Sequence, residues 1–213
     1  MSIDEHWILA DENADAMEAR FFKRGEKYPA TELFFKDEYK SPALLKHDFA
    51  RVVRLYNQRG YSAYFPFNAI RPDFERGSVK DADITHLNYL FVDIDRQGSP
   101  KDPATDEELE HGRKVAESVR VHMLELGWDE PLLTCSGNGY HLYFPLHKLA
   151  NDEEAVGLIK KLLIALGEKF DNQHVGIDRV VHNPSRLTKI LGAVAYKGQA
   201  SEERPYREAR LVK

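Results

Sequence analysis

The sequence has almost no cysteine, since Cys135 is the only one among 213 residues. A single thiol excludes an internal disulfide and any zinc or iron–sulfur site built from several cysteines of this chain. The sequence also lacks a run of about 18 apolar residues, which a membrane-spanning helix requires, so no membrane partner is expected. Its acidic first twenty residues lack the basic start of a secretory signal. These absences predict a globular, cytoplasmic protein.

A basic surplus is missing as well, because the net charge is -5. Proteins that bind nucleic acid through a general electrostatic attraction usually carry the opposite sign. The charge is unevenly distributed, however: residues 1–20 hold six acidic residues and one basic residue, whereas residues 179–213 hold eight basic and three acidic ones. The C-terminal segment is therefore suited to phosphate, although a solvated, charged tail would have the same composition.

The hydrophobic pattern alternates helical and extended segments, which predicts one α/β domain with a substantial core. Helices are predicted over 42–59, from Thr105 to Gly127 and from Asn151 to about Phe170. Strands are predicted over 61–67, 87–95, 131–135 and 140–146, with short ones near 190–196 and 206–212. The expected helix caps are Ser41 before Pro42, Thr105 in a capping box with Glu108, and Asn151 with Glu154. We also expect an apolar stripe on the second helix formed by Leu109, Ala116, Val119, Met123 and Leu126.

Two carboxylates follow the most apolar predicted strand, in the stretch Phe91 to Asp95. Residues two apart in a strand share a face, so Asp93 and Asp95 point the same way, with Cα atoms roughly 6.6 Å apart. That spacing suits carboxylates around a two-metal centre, and oxygen ligands favour Mg²⁺ or Mn²⁺. An Asp-x-Asp pair alone is a weak signal, because Asp is also common in turns at strand ends.

A glycine-rich turn, Ser136 to Gly139, leads into the next predicted strand, which carries His141. Gly137 and Gly139 allow a tight turn whose amides approach an anion, and the imidazole could then reach a nucleotide phosphate. The same letters are also typical of an ordinary Asn-Gly hairpin. The two interpretations are compatible, and both stay open on the sequence alone.

These stretches resemble the catalytic core of the archaeo-eukaryotic primase superfamily, the primase-polymerases, in the form found in phage and plasmid replication proteins. The resemblance covers about residues 61–212 and leaves residues 1–40 unmatched. It is carried by Asp93 and Asp95, by Ser136 to His141, by Asp178, and by a C-terminal run of Asn183-Pro184-Ser185-Arg186, Lys189, Gly192, Lys197-Gly198 and Arg204-Pro205-Tyr206-Arg207. Upstream, Asn68 and residues 77–84 also look like family members. Three positions depart from the usual pattern: Gly139 where serine is common, Lys189 for arginine and Ala193 for threonine.

The resemblance implies an α+β fold in which helices flank an RRM-like mixed or antiparallel sheet, with a smaller N-terminal α/β module. It implies one catalytic domain over 1–213, divided into an N-terminal extension (1–40), an α/β part (41–86) and a metal- and nucleotide-binding core (87–213). The implied activity is template-dependent addition of NTPs or dNTPs to a 3'-hydroxyl by two-metal catalysis. The implied partners are a single-stranded DNA template and primer, and a helicase or other replication domain outside this chain. Because the chain ends at Lys213 without such a domain or a helical priming module, we expect extension of a primer rather than priming from scratch.

The resemblance also assigns residues to roles. The catalytic, metal-binding residues would be Asp93, Asp95 and Asp178, holding Mg²⁺ or Mn²⁺. The nucleotide-binding residues would be Ser136, Gly137, Asn138, Gly139, His141, Arg186 and Lys189, with Arg186 as a bidentate phosphate ligand. Nucleic-acid contacts would come from Asn68, Arg71, Lys80, Asn183, Lys197, Arg204 and Arg207, for which a purely structural or surface position is equally compatible.

Three alternatives remain at this level. A polymerase domain of the kind joined to bacterial repair ligases shares the first two motifs but lacks the Asn-Pro-x-Arg and Arg-Pro-x-Arg run. A non-catalytic single-strand binding module would stack bases on Tyr61, Tyr64, Phe65 and Phe67. A metal-dependent phosphodiesterase would use the same carboxylates on water.

Overall fold

The structure, a computed structural model, describes residues 2–10, 14–98 and 100–212. Its α-helices are α1 (Pro42–Gln58), α2 (Asp106–Glu125) and α3 (Glu153–Phe170). Its strands are β1 (Ala16–Phe22), β2 (Ala30–Phe35), β3 (Ser62–Pro66), β4 (Ala69–Ile70), β5 (Ile84–Arg96), β6 (Leu132–Cys135), β7 (Tyr140–Ala150), β8 (Val175–Ile177), β9 (Leu187–Lys189), β10 (Val194–Ala195), β11 (Arg207–Glu208) and β12 (Arg210–Leu211). The fold is the mixed α+β architecture that the resemblance implies.

The larger sheet is organised around the long strand β5. Its order is β12-β6-β7-β5-β4, and β8 pairs with β5 beside its C-terminal end. All pairings in this sheet are antiparallel. Leu90, Val92 and Ile94, which share one face of β5, are completely buried. The predicted interior strand over 87–95 is confirmed, and it extends further at both ends.

Helix α2 lies against β5 and β7 and begins as predicted. The Thr105 hydroxyl accepts a hydrogen bond from Glu108 N–H, and the Glu108 carboxylate accepts one from Thr105 N–H. The predicted stripe is buried except at Leu126, which is 61% exposed. Leu126 is the C-cap, beyond the last helical turn, so its side chain no longer follows the buried face. Among the described helices, none has the length and apolarity needed to cross a membrane.

Helix α3 begins at a different cap from the predicted one. The Asp152 carboxylate accepts the hydrogen bond from Ala155 N–H, at 2.8 Å, and is therefore the N-cap. The Asn151 side chain instead donates to the carbonyls of Asp81 and Ile84. Neighbouring Asn and Asp residues are equally good caps by type. Here the amide donors of Asn151 match the two carbonyls, which a carboxylate could not bind.

The smaller sheet has the order β2-β1-β3-β9, and its pairings are antiparallel. Helix α1 covers one face, where Phe21 of β1 stacks on Tyr56 of the helix at 4.0 Å. The helix starts as predicted, with Ser41 Oγ accepting from Leu44 N–H. No strand was predicted for the regions that form β1, β2, β4 and β8. The predicted C-terminal strands near 190–196 and 206–212 exist as shorter pieces, β10 to β12, whereas β9 lies before the first of these ranges.

Candidate active site

Strand pairing brings the three predicted aspartates to one end of β5. Asp93 lies opposite His141 of β7, and Asp95 lies opposite Gly176 of β8. Directly after β8, the Asp178 amide donates a hydrogen bond of 2.9 Å to the Asp93 carbonyl. Asp178 is therefore adjacent to Asp93 in space, although many residues separate them in sequence. The buried Ile94 points to the opposite side of the strand, as the alternation predicts.

Asp93 and Asp95 have different electrostatic surroundings. Burial raises the pKa of Asp95 to about 6, and the nearby charge of Asp93 adds to this effect. Burial would also raise the pKa of Asp93, but the His141 imidazole, followed by Arg186 and Lys197, outweighs it, so the pKa of Asp93 lies below its usual value. Two carboxylates that are partly removed from water and repel one another form a site that favours a cation.

Asp93 and Asp95 can supply two metal ligands, but the side chains around them do not form a complete coordination shell. Across the described part of the chain, no three His, Cys, Asp or Glu side chains lie close enough to hold one ion together. Asp178 Oδ1 accepts from Val180 N–H at 2.9 Å, and Asp178 Oδ2 lies 3.5 Å from Arg186 Nη2. The carboxylates of Asp93 and Asp95 supply hard oxygen ligands. This arrangement suits Mg²⁺ or Mn²⁺, which retain water and bind substrate phosphates.

The glycine-rich stretch forms the turn of a β6–β7 hairpin, so the hairpin interpretation is confirmed. Ser136 closes the turn: its amide donates to the Gly139 carbonyl at 2.9 Å, and its hydroxyl oxygen accepts from Gly139 N–H at 3.0 Å. Asn138 Oδ1 accepts from Ala104 N–H, which ties the turn to the segment before α2. Ser136 and Asn138 thus hold the turn in place, and the Gly139 amide is satisfied within it.

Glycine is required at two positions of this turn because of close approach. A Cβ on Gly139 would lie 2.4 Å from the Ile94 carbonyl oxygen and 2.5 Å from Asp95 Oδ1. A Cβ on Gly137, whose φ is +90°, would lie 2.8 Å from the Arg207 carbonyl oxygen. The turn therefore packs directly against the predicted metal-binding carboxylate. This role differs from the amide cradle that the sequence suggests.

Two buried hydroxyls orient His141. The Nδ1 atom of His141 lies 3.2 Å from both Tyr143 OH and Thr188 Oγ1, and these two hydroxyl oxygens lie 2.6 Å apart. His141 Nε2 consequently faces Asp93 Oδ1 at 3.4 Å. Neither hydroxyl is among the site residues predicted from the sequence. Strand alternation could have indicated Tyr143, two residues after His141, whereas Thr188 comes from the other sheet and has no local signal.

A cavity of about 310 Å³ opens between the two sheets and contains most of these groups. Its acidic side carries Asp93 and Asp95, and its basic side carries Arg186, Lys189 and Lys197. Within the described residues, the Nε of Arg186 is buried and has no hydrogen-bond partner. A second cavity, of about 770 Å³, adjoins the first, because Asp95 and Lys197 line both. Carboxylates facing three cations can bind a metal and a polyphosphate at the same time.

Arg204 and Arg207, for which nucleic-acid contacts are predicted, instead bind the start of α2. Arg204 donates to both Glu108 carboxylate oxygens and to the Pro103 carbonyl. Arg207 donates to the Ala104 carbonyl and to Asp106. Burial opposes ionisation of Glu108, but the hydrogen bonds from Arg204 and Thr105 and the charge of Arg96 outweigh it and hold its pKa at about 2. These contacts make both arginines part of the scaffold.

The remaining predicted nucleic-acid residues divide between the cavity and other parts of the surface. Lys197 lines the cavity. The buried Asn68 donates to the Pro184 carbonyl and accepts from Asn88 N–H. The other three lie around the loop at 71–83. Arg71 pairs with Asp73 and Asp83, and Lys80 is exposed. Asn183 hydrogen-bonds Asp81 of this loop.

The aromatic residues considered for base stacking are mostly unavailable. Phe65 and Phe67 are 3% exposed and belong to the core. Tyr61 packs edge-on against Tyr56 and donates to Glu26. Tyr64 is the exception, because it lines the cavity and its hydroxyl accepts from Lys189 Nζ at 2.5 Å. The prediction of a stacking surface built from all four residues is therefore wrong.

Comparison with solved structures gives several matches of similar fold. Primase RepB' superposes with a TM-score of 0.53 at 12% identity, covering 99% of this chain and 55% of that one. The polymerase domain of ligase D from Mycobacterium tuberculosis, solved in complex with DNA, gives 0.55 at 15% identity, covering 96% and 79%. The catalytic domain of primase RepB' with initiator DNA gives 0.52 at 11% identity, covering 99% and 82%.

The chain thus spans about half the length of the first RepB' structure. No family model matches the sequence, and no curated protein matches it. At these identities the likeness concerns the fold, and it extends over nearly the whole chain. The sequence-based resemblance and the structural neighbours agree. This protein has the fold of the primase-polymerase catalytic domains.

Proposed function

We propose that this protein is a template-dependent nucleotidyltransferase, a primase-polymerase that adds NTPs or dNTPs to a nucleic-acid 3'-hydroxyl. The observation that carries the proposal is the cavity in which Asp93 and Asp95 face Arg186, Lys189 and Lys197. A binding module for phosphate would not benefit from two carboxylates in its pocket, since they repel phosphate when no cation is present. The primase-polymerase fold supports the same class of chemistry.

Asp93 and Asp95 would hold Mg²⁺ or Mn²⁺, with Asp178 as the third proposed ligand. When bound, such ions lower the pKa of an attacking hydroxyl and neutralise charge on the transferred phosphoryl and the leaving pyrophosphate. The raised pKa of Asp95 agrees with this assignment. Burial and the charge of Asp93 disfavour the ionised form of Asp95, and a bound cation would stabilise that form. The support is the oxygen-donor chemistry of the pair and its position at a cavity.

The cationic side of the cavity would bind the triphosphate. Arg186 has an unpartnered buried Nε and a planar group suited to two phosphate oxygens, while Lys189 and Lys197 add compact charges. His141, fixed through Nδ1, presents Nε2 beside Asp93, where it can donate to a phosphate oxygen of the bound nucleotide. Ser136, Gly137, Asn138 and Gly139 would act by holding the turn against Asp95. Positioning and electrostatics would supply most of the rate.

The proposed partners are a single-stranded DNA template, a primer and an NTP or dNTP. Two of the similar structures are described as complexes with DNA, one of them with initiator DNA. A repair polymerase is a second candidate, because the ligase D domain superposes as well as the primases do. A helicase partner and a cytoplasmic location stay predictions of the sequence.

A primer-extension assay tests the proposal. The protein is incubated with Mn²⁺ or Mg²⁺, a labelled primer-template and either dNTPs or NTPs, and a parallel reaction omits the primer. We expect extension, and we expect Asp93→Ala and Asp95→Ala each to reduce it by about 10³-fold while the fold is retained. Asp129→Ala is the matched control, because Asp129 is exposed and pairs only with His147 among the described contacts.

Other outcomes identify the alternatives. Shortening of the primer would indicate a phosphodiesterase. A shift in mobility without any change in length would indicate a binding module. If Asp93→Ala and Asp95→Ala both extend primers at the wild-type rate, the metal assignment is wrong.

A further inference from the structure

The smaller sheet has one face that α1 does not cover, and this face leads into the cavity. Lys189 of β9 lies directly opposite Tyr64 of β3, and Tyr64 lies opposite Arg20 of β1. Directly opposed residues share a face, and so does Phe22, two positions after Arg20. The intervening Phe21 faces α1 and is buried. Since Lys189 and Tyr64 line the cavity, the same surface continues from the cavity to β1.

Aromatic and cationic side chains lie next to one another along this face. Lys189 Nζ lies 3.9 Å from the centre of the Tyr64 ring. On the other side, Phe22 contacts Tyr64 edge-on, with ring centres 5.2 Å apart. Phe22 is nevertheless 40% exposed. Part of its ring is therefore open to a ligand that stacks.

The surface ends at the exposed β1–β2 turn, which is basic. Residues 23–29 are all exposed, and they include Lys23, Arg24 and Lys27 against the single acid Glu26. Lys27 Nζ lies 5.1 Å from the ring of Tyr28, which is 71% exposed. In a chain whose net charge is -5, this local surplus is not a general property of the surface.

We propose that Tyr64, Phe22, Arg24 and Lys27, which we call the aromatic–basic track, bind the single-stranded template as it enters the cavity. Single strands are bound by aromatic platforms on which bases stack, flanked by cations that follow the backbone. The track supplies both, and it is continuous with the cavity. This inference rests on the proposed function for the identity of the strand, but strand binding itself can be measured without catalysis.

Binding of a fluorescent oligothymidylate, followed by anisotropy without nucleotide or metal, tests the track. Phe22→Leu keeps an apolar side chain but removes the stacking ring, and we expect about tenfold weaker binding. Phe22→Tyr keeps the ring and should bind like the wild type. A plot of the logarithm of the binding constant against the logarithm of the salt concentration has a negative slope. The double variant Arg24→Ala/Lys27→Ala should make this slope less steep by about 1.4, since each single-strand phosphate contact contributes about 0.7.

The controls remove one exposed apolar side chain and two exposed basic side chains from α3, away from the track. Leu158 is 57% exposed, so Leu158→Ala removes an exposed apolar side chain. Lys160→Ala/Lys161→Ala removes two exposed lysines. Both controls should bind the oligonucleotide like the wild type, and thermal unfolding checks that every variant is folded.

The outcomes separate this inference from the proposed function. If the wild type, Phe22→Leu and the Arg24/Lys27 double variant bind equally, the track does not bind the strand, even when primers are extended. The same conclusion follows if the wild type does not bind the oligonucleotide at low salt. If the track variants lose binding and the wild type extends no primer, the track stands and the proposed activity is wrong. Equal weakening by the α3 controls would also overturn the track.

Discussion

The packing of Gly139 against Asp95 gives the sharpest prediction about the site. Gly139→Ala would place a Cβ 2.4 Å from the Ile94 carbonyl oxygen and 2.5 Å from Asp95 Oδ1. Both distances are roughly 1 Å shorter than an ordinary carbon–oxygen contact. The Ile94 backbone lies in the centre of the sheet and is held on both sides by β7 and β8. The turn and the Asp95 carboxylate must therefore move apart by about 1 Å.

We expect Gly139→Ala to cost about 1 to 3 kcal/mol of stability through overpacking. A displacement of about 1 Å at a reacting group should lower the rate of primer extension by about 10²-fold. Gly157→Ala is the matched control: no atom lies within 4 Å of its added Cβ, and alanine in the helix should stabilise the protein by about 0.5 to 1 kcal/mol. Thermal unfolding and steady-state extension kinetics measure both effects. Wild-type kcat and unfolding temperature in Gly139→Ala would refute the proposed contact with Asp95.

Two further predictions concern stability. Glu108→Gln should cost about 2 kcal/mol in urea unfolding, because it removes the carboxylate that neutralises Arg96, which is 5% exposed. Glu110→Gln, in an exposed pair on the same helix, should cost much less, and equal costs would contradict this. His6 is fully buried, and burial lowers its pKa to about 3 from 6.5, so the unfolded chain binds a proton that the folded one does not. Its contribution to stability should thus fall by about 1.4 kcal/mol per pH unit as the pH drops below about 6.5, down to about 3. His6→Leu should reduce this slope in urea unfolding at several pH values, and an unchanged slope would show that His6 is not the group responsible.

The elements that the sequence predicted correctly are those with local signals. Ser41 followed by Pro42 marks the start of α1, and the apolar run before Asp93 marks the central strand. Strands β1 and β2 were missed although apolar and polar residues alternate from Met17 to Phe21. In the fold, β1 pairs with both β2 and β3, and its Phe21 packs on α1. Pairing of β9 with β3 depends on tertiary structure alone, since over a hundred residues separate them.

The candidate site shows the same division. Alternation correctly placed Asp93 and Asp95 on one face of β5, and both line the cavity. The sequence could not show that Arg204 is neutralised by Glu108, because a basic side chain looks the same whether it meets solvent, phosphate or a carboxylate distant in sequence. Nor could it show that Tyr64 lines the cavity while the adjacent Phe65 belongs to the core, because a strand in an aromatic-rich stretch has no apolar–polar contrast to set its orientation.

Residues 178–186 connect the two sheets, because β8 belongs to the larger one and β9 to the smaller one. Asp178 stands at the first end of this connection and Arg186 at the last, and their side chains approach to 3.5 Å. The connection therefore carries a proposed metal ligand at one end and a proposed phosphate ligand at the other. A hinge motion of one sheet relative to the other would open or close the cleft while changing the separation of a proposed metal ligand and a proposed phosphate ligand. Insertions should be tolerated in the β1–β2 turn far better than here.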